Sequence, residues 1–387
     1  MIEVTGSLQV KNKIYQAVLS YKERNKWKTK WISTKVKAIG GNKKKAEAIL
    51  NTYIDDYKKL LNGEKNIESQ IRFIDYMKKW LEIIKPSVEE TTYQGYKKVI
   101  NGRITDYFEN RDITLDNIKP YHIQDFYLYL SSLGLSGNTI LHYHANIRKA
   151  LQYAVKTDLI SSNPADKVDK PKKTPFVADY YTKDEVKSLL DVVKGKRLET
   201  PVILACYYGL RRSEVLGLRW SSINFDAKVI TINHAIIDLS ESNEQIIVKR
   251  DTLKTRSSVR TLPLVPFIEN YLLKLKEKQE RNKEMFRDGY CQEYLDYVCV
   301  DDLGNIITPC YVSHQFTKML KVNRLRVIRF HDLRHTCAST LLDGGVDMKE
   351  IQLWLGHSNY NTTANIYAHL DTRRLIHGAG TIASAFA

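Results

Sequence analysis

A lysine- and proline-rich stretch near the middle of the chain, DKVDKPKKTPF at residues 166–176, interrupts the apolar patterns on either side of it. Proline fixes φ and has no backbone N–H, so Pro171 and Pro175 favour an extended connection over a helix or a central strand. A length of 387 residues also predicts two or three domains. The sequence therefore predicts three domains and a linker, at residues 1–65, 66–168, 169–177 (the linker) and 178–387.

The chain is strongly basic, with 60 Lys and Arg against 44 Asp and Glu, a net charge of +16 and a pI of about 9.3. Residues 1–65 alone hold 15 basic and 6 acidic side chains. Such an excess favours a polyanionic partner, and nucleic acid is the first candidate.

Composition and cysteine spacing argue against a disordered, membrane-spanning, secreted or disulfide-rich protein. Apolar residues make up 43% of the chain and the mean hydropathy is -0.39, values typical of a soluble globular protein. No 18-residue apolar run and no signal-peptide pattern is present, so we expect a cytoplasmic protein with no membrane partner. The five cysteines are scattered without a CxxC pair, so we expect reduced thiols, no disulfide framework and no zinc ribbon.

The first 65 residues predict a small α+β domain. The runs GSLQV, IYQAVLSY and KWKTKWIST alternate at period two and precede a helical stretch, which indicates a three-stranded sheet plus a helix. In the third run the basic residues Lys26, Lys28 and Lys30 alternate with Trp27 and Trp31, giving one cationic and one aromatic face. These lysines are candidates for DNA binding, and a solvated lysine-rich edge strand is the alternative.

Residues 66–168 predict an all-α bundle of four or five helices. Apolar spacing of the helical type recurs in FIDYMKKWLEII, TTYQGYKKVI, IQDFYLYLSSL and TILHYHANIRKALQYAV. Tyr, Lys and His are frequent in these helices, and Arg148 is a candidate DNA contact, although a solvated helix face is an alternative for each such residue.

In the third domain the residue pattern predicts mainly helices, with a small antiparallel sheet formed by KVITINHAII, EQIIVKR and RTLPL. Four segments stand out in it: GLRRSE at 209–214, LKT at 253–255, HDLRH at 331–335, and LGH at 355–357 with a tyrosine ten residues later. Each motif is weak alone, but their order and spacing are specific.

This ordered set resembles that of the tyrosine recombinases, the phage-integrase family of site-specific DNA recombinases. The resemblance implies a six-residue catalytic site without a metal or other cofactor, and every position of it is filled here. The catalytic residues would be Arg211, Lys254, His331, Arg334, His357 and the nucleophile Tyr367. Glu214 and Asp332 match the accessory acids of the family, which would hold the arginine and histidine side chains.

The residue types suit phosphodiester cleavage on chemical grounds as well. Two guanidinium groups can each bind non-bridging phosphate oxygens bidentately, where negative charge accumulates in the transition state. A tyrosine hydroxyl has a pKa of about 10 and needs a base, for which His331 is the candidate. Lys254 could protonate the departing 5′ oxygen, and His357 would donate a hydrogen bond to the phosphate.

The N-terminal segment resembles the arm-type DNA-binding domain of integrases from Gram-positive temperate phages and integrative conjugative elements. The bundle resembles the family's SAM-like core-binding domain, which closes with the catalytic domain around DNA. The resemblance thus implies binding to arm and core sites on double-stranded DNA and a homotetramer in the synapse. It also implies an excisionase or host architectural protein as a further partner.

Three other functions remain open at this point. HDLRH matches HDxxH, which is close to the zincin HExxH motif, although the general-base glutamate is missing. A two-domain resolvase-like recombinase would lack the basic N-terminal segment. A non-catalytic DNA-binding protein on the same scaffold would cleave no strand.

The role assigned to Lys254 can be tested through the leaving group. We expect Lys254→Ala to cleave ordinary DNA roughly 100-fold or more slowly, because the 5′ oxygen would leave without a proton. A substrate with sulfur in place of the bridging 5′ oxygen leaves as a stable thiolate, so it should restore cleavage in a single-turnover assay. Arg211→Ala is the control and should gain much less, since it loses charge stabilisation instead of a proton donor. Equal rescue of both variants would contradict this assignment.

Overall fold

The computed structural model divides the chain into two compact units, Met1–Pro175 and Phe176–Ala387. Lys254 and Tyr367 lie outside the residues that the structure describes. The described residues are 3–23, 26–61, 67–174, 179–241, 244–251, 259–357, 383–384 and 386.

The first unit begins with an antiparallel sheet in the order β1 (Val4–Lys11), β2 (Ile14–Glu23) and β3 (Lys26–Lys37), followed by helix α1 (Lys43–Leu61). Asn12 and Lys13 connect β1 to β2 with φ values of 52° and 60°. Positive φ at both central residues is the type I′ geometry, which matches the twist of the two strands. A two-residue turn thereby sets the register of β1 against β2.

One face of this sheet packs on α1 and the other is open. Ala17 and Leu19 of β2 are fully buried and pack with Leu50 of α1. On β3, Trp27 and Trp31 are 67% and 50% exposed. The open face therefore carries two large aromatic side chains.

Five α-helices form the bundle that follows, and a π-helical turn (Ile100–Ile104) joins the second of these five helices to the third. Their apolar faces meet in one core that contains Trp80, Phe108 and Phe126, as the helical spacing of the sequence predicts. The helices are α2 (Phe73–Ile84), α3 (Glu90–Val99), α4 (Thr105–Phe108), α5 (Pro120–Ser132) and α6 (Gly137–Lys156).

The first part of the predicted linker runs along this bundle. The backbone N–H of Asp169 donates to the Gln124 side chain over 2.9 Å, and the Asn138 side chain donates to the Thr174 carbonyl, also over 2.9 Å. Residues 169–174 are thus held by α5 and α6.

The second unit combines helices with two small antiparallel sheets. One sheet has the order β4 (Ile223–Asn224), β5 (Val229–Ile232), β8 (Arg260–Pro263), and the hairpin β6 (Ala235–Glu241) and β7 (Glu244–Arg250) forms the other. The helices are α7 (Lys183–Val193), α8 (Glu199–Tyr208), α9 (Arg212–Leu216), α10 (Pro266–Phe286), α11 (Pro309–Val322), α12 (Asp332–Asp343) and α13 (Met348–Leu355).

The core of this unit forms around α8, which is apolar on nearly all sides and packs against α12. The predicted fold class is therefore confirmed: a small α+β domain, an all-α bundle, and a mainly helical domain with a small antiparallel sheet, although the predicted strands of the last domain divide between two sheets instead of one. Among the described helices, none combines the length and apolar character needed to cross a membrane.

Gly209 ends α8 and sets the direction of the chain that follows. Its φ of 60° and ψ of 29° lie in the left-handed region, which other residues enter at a cost. A Cβ at this position would also lie 2.4 Å from Cδ2 of Leu355 and 3.3 Å from Cβ of Cys337. Glycine is required here both for its conformation and for the close approach of α13 and α12.

These two requirements can be separated by comparison with Gly345. Gly345 has a φ of 85°, but a Cβ there would meet no atom within 4 Å. We expect Gly345→Ala to lower the free energy of unfolding by about 1–2 kcal/mol, the cost of the left-handed conformation. Gly209→Ala should lose roughly 1–3 kcal/mol more because of overpacking. Urea unfolding of both variants measures the difference, and equal losses would show that the contact with Leu355 is unimportant.

Candidate active site

The turn after α8 positions Arg211 and Glu214. Arg211 is the N-cap of α9, and its backbone N–H donates to Oε2 of Glu214 over 3.0 Å. Its guanidinium donates from Nη1 to Oε1 of the same carboxylate over 2.6 Å. Glutamate at the third helical position, as in GLRRSE, is the residue that closes a capping box. One carboxylate thus holds both the backbone and the side chain of Arg211.

His331 is the N-cap of α12, and Arg334 lies on the first turn of this helix. The backbone N–H of Arg329 donates to Asp332 over 2.7 Å, and Nη2 of Arg329 donates to the same carboxylate over 2.6 Å. Asp332 therefore fixes the turn that leads into the helix. Residues three apart share a helix face, which brings His331 and Arg334 to the same side.

The C-terminal end of α13 accepts hydrogen bonds from three arginines. The last carbonyls of a helix lack partners within the helix and carry its negative dipole end, so they attract cations. Three consecutive carbonyls are used in this way. Arg260 Nε donates to Trp354 O (2.9 Å), Arg334 Nη2 to Leu355 O (2.7 Å) and Arg211 Nη2 to Gly356 O (3.3 Å).

His357 follows directly after these carbonyls. Gly356 ends α13 with a φ of 68°, in the left-handed region. The His357 N–H donates to the Gln352 carbonyl over 3.1 Å, and the Gln352 side chain donates back to His357 O over 2.9 Å. The chain path at His357 is therefore determined by the end of α13.

The packing of α12 against the turn after α8 completes the arrangement. Arg334 is 2% exposed, and its Nη1 donates to the Gly209 carbonyl over 2.6 Å. This bond and the one to Leu355 connect α12 both to the turn before Arg211 and to the residue before Gly356. Arg211, Arg334 and the residue preceding His357 are thereby brought together from three segments of the chain.

Arg260 belongs to the same cluster, although it lies in none of the four sequence motifs. Its Nη2 donates to Oε2 of Glu214 over 3.0 Å, and the two side chains are 6% and 2% exposed. The available signal was the strand RTLPL, in which Arg260 and Leu262 share the inward face. A charged residue at an inward strand position requires a buried partner of opposite charge.

The buried charges shift the protonation of the site residues. Burial alone would raise the pKa of Glu214, but Arg260, Arg211 and Arg334 together lower it below its usual value. Burial, assisted by His335 and Arg334, lowers the pKa of His331 to about 4. Burial, with Arg334 and Arg211, lowers the pKa of His357 to about 3. Near pH 7 both histidines are therefore neutral and Glu214 is charged.

The candidate DNA-binding residues of the first unit differ in their surroundings. Lys26 and Lys28 are exposed on β3. Lys30 instead forms an ion pair with Asp158 and lies 4.7 Å from the ring centroid of Tyr57 on α1. Arg148 donates to Asp166 over 2.6 Å. Lys30 and Arg148 thus already have acidic partners within the protein.

The alternative of a zinc site at HDLRH finds no support in the side-chain positions. The rings of His331 and His335 are nearly perpendicular, at 88°, with centroids 5.5 Å apart. In the part of the chain that the structure describes, no three His, Cys, Asp or Glu side chains are grouped as a metal site would need.

Comparison with protein-family models gives two matches. Residues 179–374 match the phage integrase family, and residues 72–170 match the phage integrase SAM-like domain. The first match covers the turn, the strands and the helices that form the arginine cluster.

Curated relatives match over most of their length. A XerC-like tyrosine recombinase of Caldanaerobacter subterraneus subsp. tengcongensis is 28% identical over 362 residues, covering 90% of this chain and 91% of the relative. The ICEBs1 integrase of Bacillus subtilis is 29% identical, covering 72% and 73%. The transposase of transposon Tn916 from Enterococcus faecalis is 25% identical, covering 74% and 71%.

Solved structures share the fold. A fragment of the Tn1549 transposon integrase in complex with circular intermediate DNA matches with a TM-score of 0.63 and 21% identity, covering 79% of this chain and 99% of the fragment. A lambda integrase tetramer bound to a Holliday junction matches with a TM-score of 0.58 and 15% identity, covering 93% and 94%. Since the family model spans about half of the chain, this protein belongs to the phage integrase family and is a tyrosine recombinase.

Proposed function

We propose that this tyrosine recombinase integrates and excises a mobile element by cleaving and rejoining DNA through a 3′-phosphotyrosyl intermediate. The observation that carries the proposal is the group of arginines at the end of α13. Arg211 and Arg334 are anchored to successive carbonyls there, and His357 follows immediately. This arrangement suits a phosphate whose charge increases during the reaction.

The two proposed catalytic arginines have different exposure and therefore different tasks. The Arg211 side chain is 35% exposed, so its guanidinium can reach a non-bridging phosphate oxygen directly. Arg334 is buried and donates to two carbonyls. In a site of low dielectric its charge still stabilises the transition state, and a small shift of the bond to Leu355 would free a donor for phosphate.

In the proposed reaction one bond to phosphorus forms as another breaks, and each proton has a donor and an acceptor. His331, neutral near pH 7, accepts the proton of the Tyr367 hydroxyl, and the phenolate oxygen attacks the scissile phosphorus. The bond from phosphorus to the 5′ oxygen breaks, and Lys254 gives that oxygen a proton. His357 donates a hydrogen bond to a phosphate oxygen. Rejoining runs in reverse, with a 5′ hydroxyl attacking the phosphotyrosine, so no external energy source is needed.

The substrate of the proposal is double-stranded DNA with core and arm sites. Residues 1–65 carry the largest excess of basic charge, and Trp27, Lys26 and Lys28 are exposed on β3. These features support arm binding by the N-terminal sheet. Lys30 and Arg148 would contact DNA only by exchanging Asp158 and Asp166 for phosphate.

The relatives support the assembly that the proposal requires. The Tn1549 integrase structure contains DNA, and the lambda integrase structure is a tetramer on a Holliday junction. By analogy we propose a homotetrameric synapse for this chain. A cytoplasmic location and an excisionase or host architectural partner belong to the same proposal.

The nucleophile can be tested with Tyr367→Phe. The ring remains and only the hydroxyl is lost, so we expect normal binding of core DNA and no covalent adduct. The probe is a nicked duplex that spans the junction of the circularised element, and adducts are counted on denaturing gels. Tyr360→Phe is the matched control and should form adducts at the wild-type level. Adducts that persist in Tyr367→Phe and vanish in Tyr360→Phe would transfer the role to Tyr360.

The state of His331 predicts a pH profile. Its pKa of about 4 lies below the ordinary 6.5, so the neutral base is present at all pH values above about 5. The second-order rate constant of cleavage depends on the pKa values of the free enzyme. We expect this rate constant to stay the same from pH 7.5 down to pH 5.5. The decline should begin only below pH 5, as His331 becomes protonated. A midpoint near pH 6.5 would contradict the neutral-base assignment.

A further inference from the structure

Arg260 connects two parts of the site that are far apart in the sequence. It extends from the inward face of β8 and donates hydrogen bonds in different directions. Nη2 donates to Oε2 of Glu214, 46 positions earlier, and Nε donates to the Trp354 carbonyl, 94 positions later. A single planar guanidinium therefore sets the spacing between α9 and the end of α13, because its donors have fixed relative positions.

The bonds of Glu214 show what Arg260 adds. Oε1 accepts from Nη1 of Arg211, whereas Oε2 accepts from the Arg211 backbone and from Arg260. Without Arg260, Oε2 would keep one backbone donor in a site that is nearly closed to water. The carboxylate would then be held less firmly, and Arg211 with it.

The charge balance of the cluster also indicates a role for Arg260. Glu214 faces Arg211 from its own turn, Arg260 from β8 and Arg334 from α12. His357 lies close enough to these three arginines for each of them to lower its pKa. If one arginine neutralises the carboxylate, the other two keep their charge for phosphate. Arg260 suits this role because its side chain is 6% exposed, whereas that of Arg211 is 35% exposed.

We propose that Arg260 is a positioning residue of this recombinase, which neutralises Glu214 and ties it to the end of α13 so that Arg211 and Arg334 remain available to the scissile phosphate. The inference rests on the proposed function. Arg260 does not act on the reacting atoms itself. Its effect passes through Glu214 to Arg211, and through the Trp354 carbonyl to the turn before His357.

The experiment compares four variants with the wild type. Arg260→Met removes the charge and both donors but keeps most of the apolar volume, and Arg260→Lys keeps the charge without the fork. Arg260→Met/Glu214→Gln removes the buried charge pair altogether. Arg326→Met is the matched control, because Arg326 pairs with Glu185 over 2.7 Å in the same unit, on the protein surface. Each protein is assayed for adduct formation on the nicked junction duplex between pH 4 and pH 8, and for thermal unfolding.

We expect Arg260→Met to bind the duplex within about threefold of wild type and to form adducts roughly 10- to 100-fold more slowly at pH 7.5, less than the loss of a direct donor. The acid limb of its pH–rate profile, where the rate falls as the pH is lowered, should move to higher pH. The reason is that Glu214, without one of the cations that lower its pKa, becomes protonated earlier and releases Arg211. Arg260→Lys should keep the acid limb near its wild-type position.

The double variant and the control separate positioning from a loss of fold. With glutamine at 214 no carboxyl group remains to titrate, so the acid limb of the double variant should return to its wild-type position while the rate stays low. Arg326→Met should leave the acid limb where it is, because Glu185 pairs with Arg326 on the surface and its protonation leaves the bonds between Arg211 and Glu214 in place.

Two results would overturn the proposal for Arg260 alone. One is a rate for Arg260→Met that falls equally at every pH, in parallel with its unfolding temperature. The other is adduct formation by Arg260→Met at the wild-type rate throughout. If the wild type forms no adduct, the proposed function fails, and the role of Arg260 fails with it.

Discussion

The second unit depends on the pairing of the buried Glu214 carboxylate with arginine side chains. The carboxylate joins Arg211, at the start of α9, to Arg260, on β8, and it does so where only 2% of its side chain reaches solvent. An ionised carboxylate at this depth is costly unless its oxygens are bonded and its charge is balanced. Its hydrogen bonds meet both conditions, and in doing so they hold the turn after α8 in place.

The end of α13 supplies the second fixed point. Its carbonyls have no partners within the helix, and three arginines satisfy them from three other segments of the unit. Two glycines make this possible: Gly209 allows α13 to approach closely, and Gly356 ends the helix directly before His357. The arginine side chains would repel one another, and the negative end of a helix and one carboxylate offset this repulsion.

The first unit divides its basic side chains between structure and surface. Lys30 lies over Tyr57 and pairs with Asp158, so part of the positive charge of β3 stabilises the protein itself. The exposed face of the sheet presents Trp27 and Trp31 instead. A nucleic-acid surface here would therefore combine aromatic side chains with lysines at its edge, instead of a continuous row of lysines.

The sequence by itself determined the fold class and the identity of the motif residues. Helical spacing marked the bundle, strand alternation marked the N-terminal sheet, and GLRRSE, HDLRH and LGH retained the residue types that phosphodiester cleavage requires. These signals are local, because propensity and side-chain chemistry act within a few residues. Tertiary structure alone decided that Arg260 joins Glu214, that three arginines share the end of α13, and that Lys30 has an acidic partner. Such pairings link residues from 21 to 145 positions apart, and they depend on how charged side chains find partners once the elements pack.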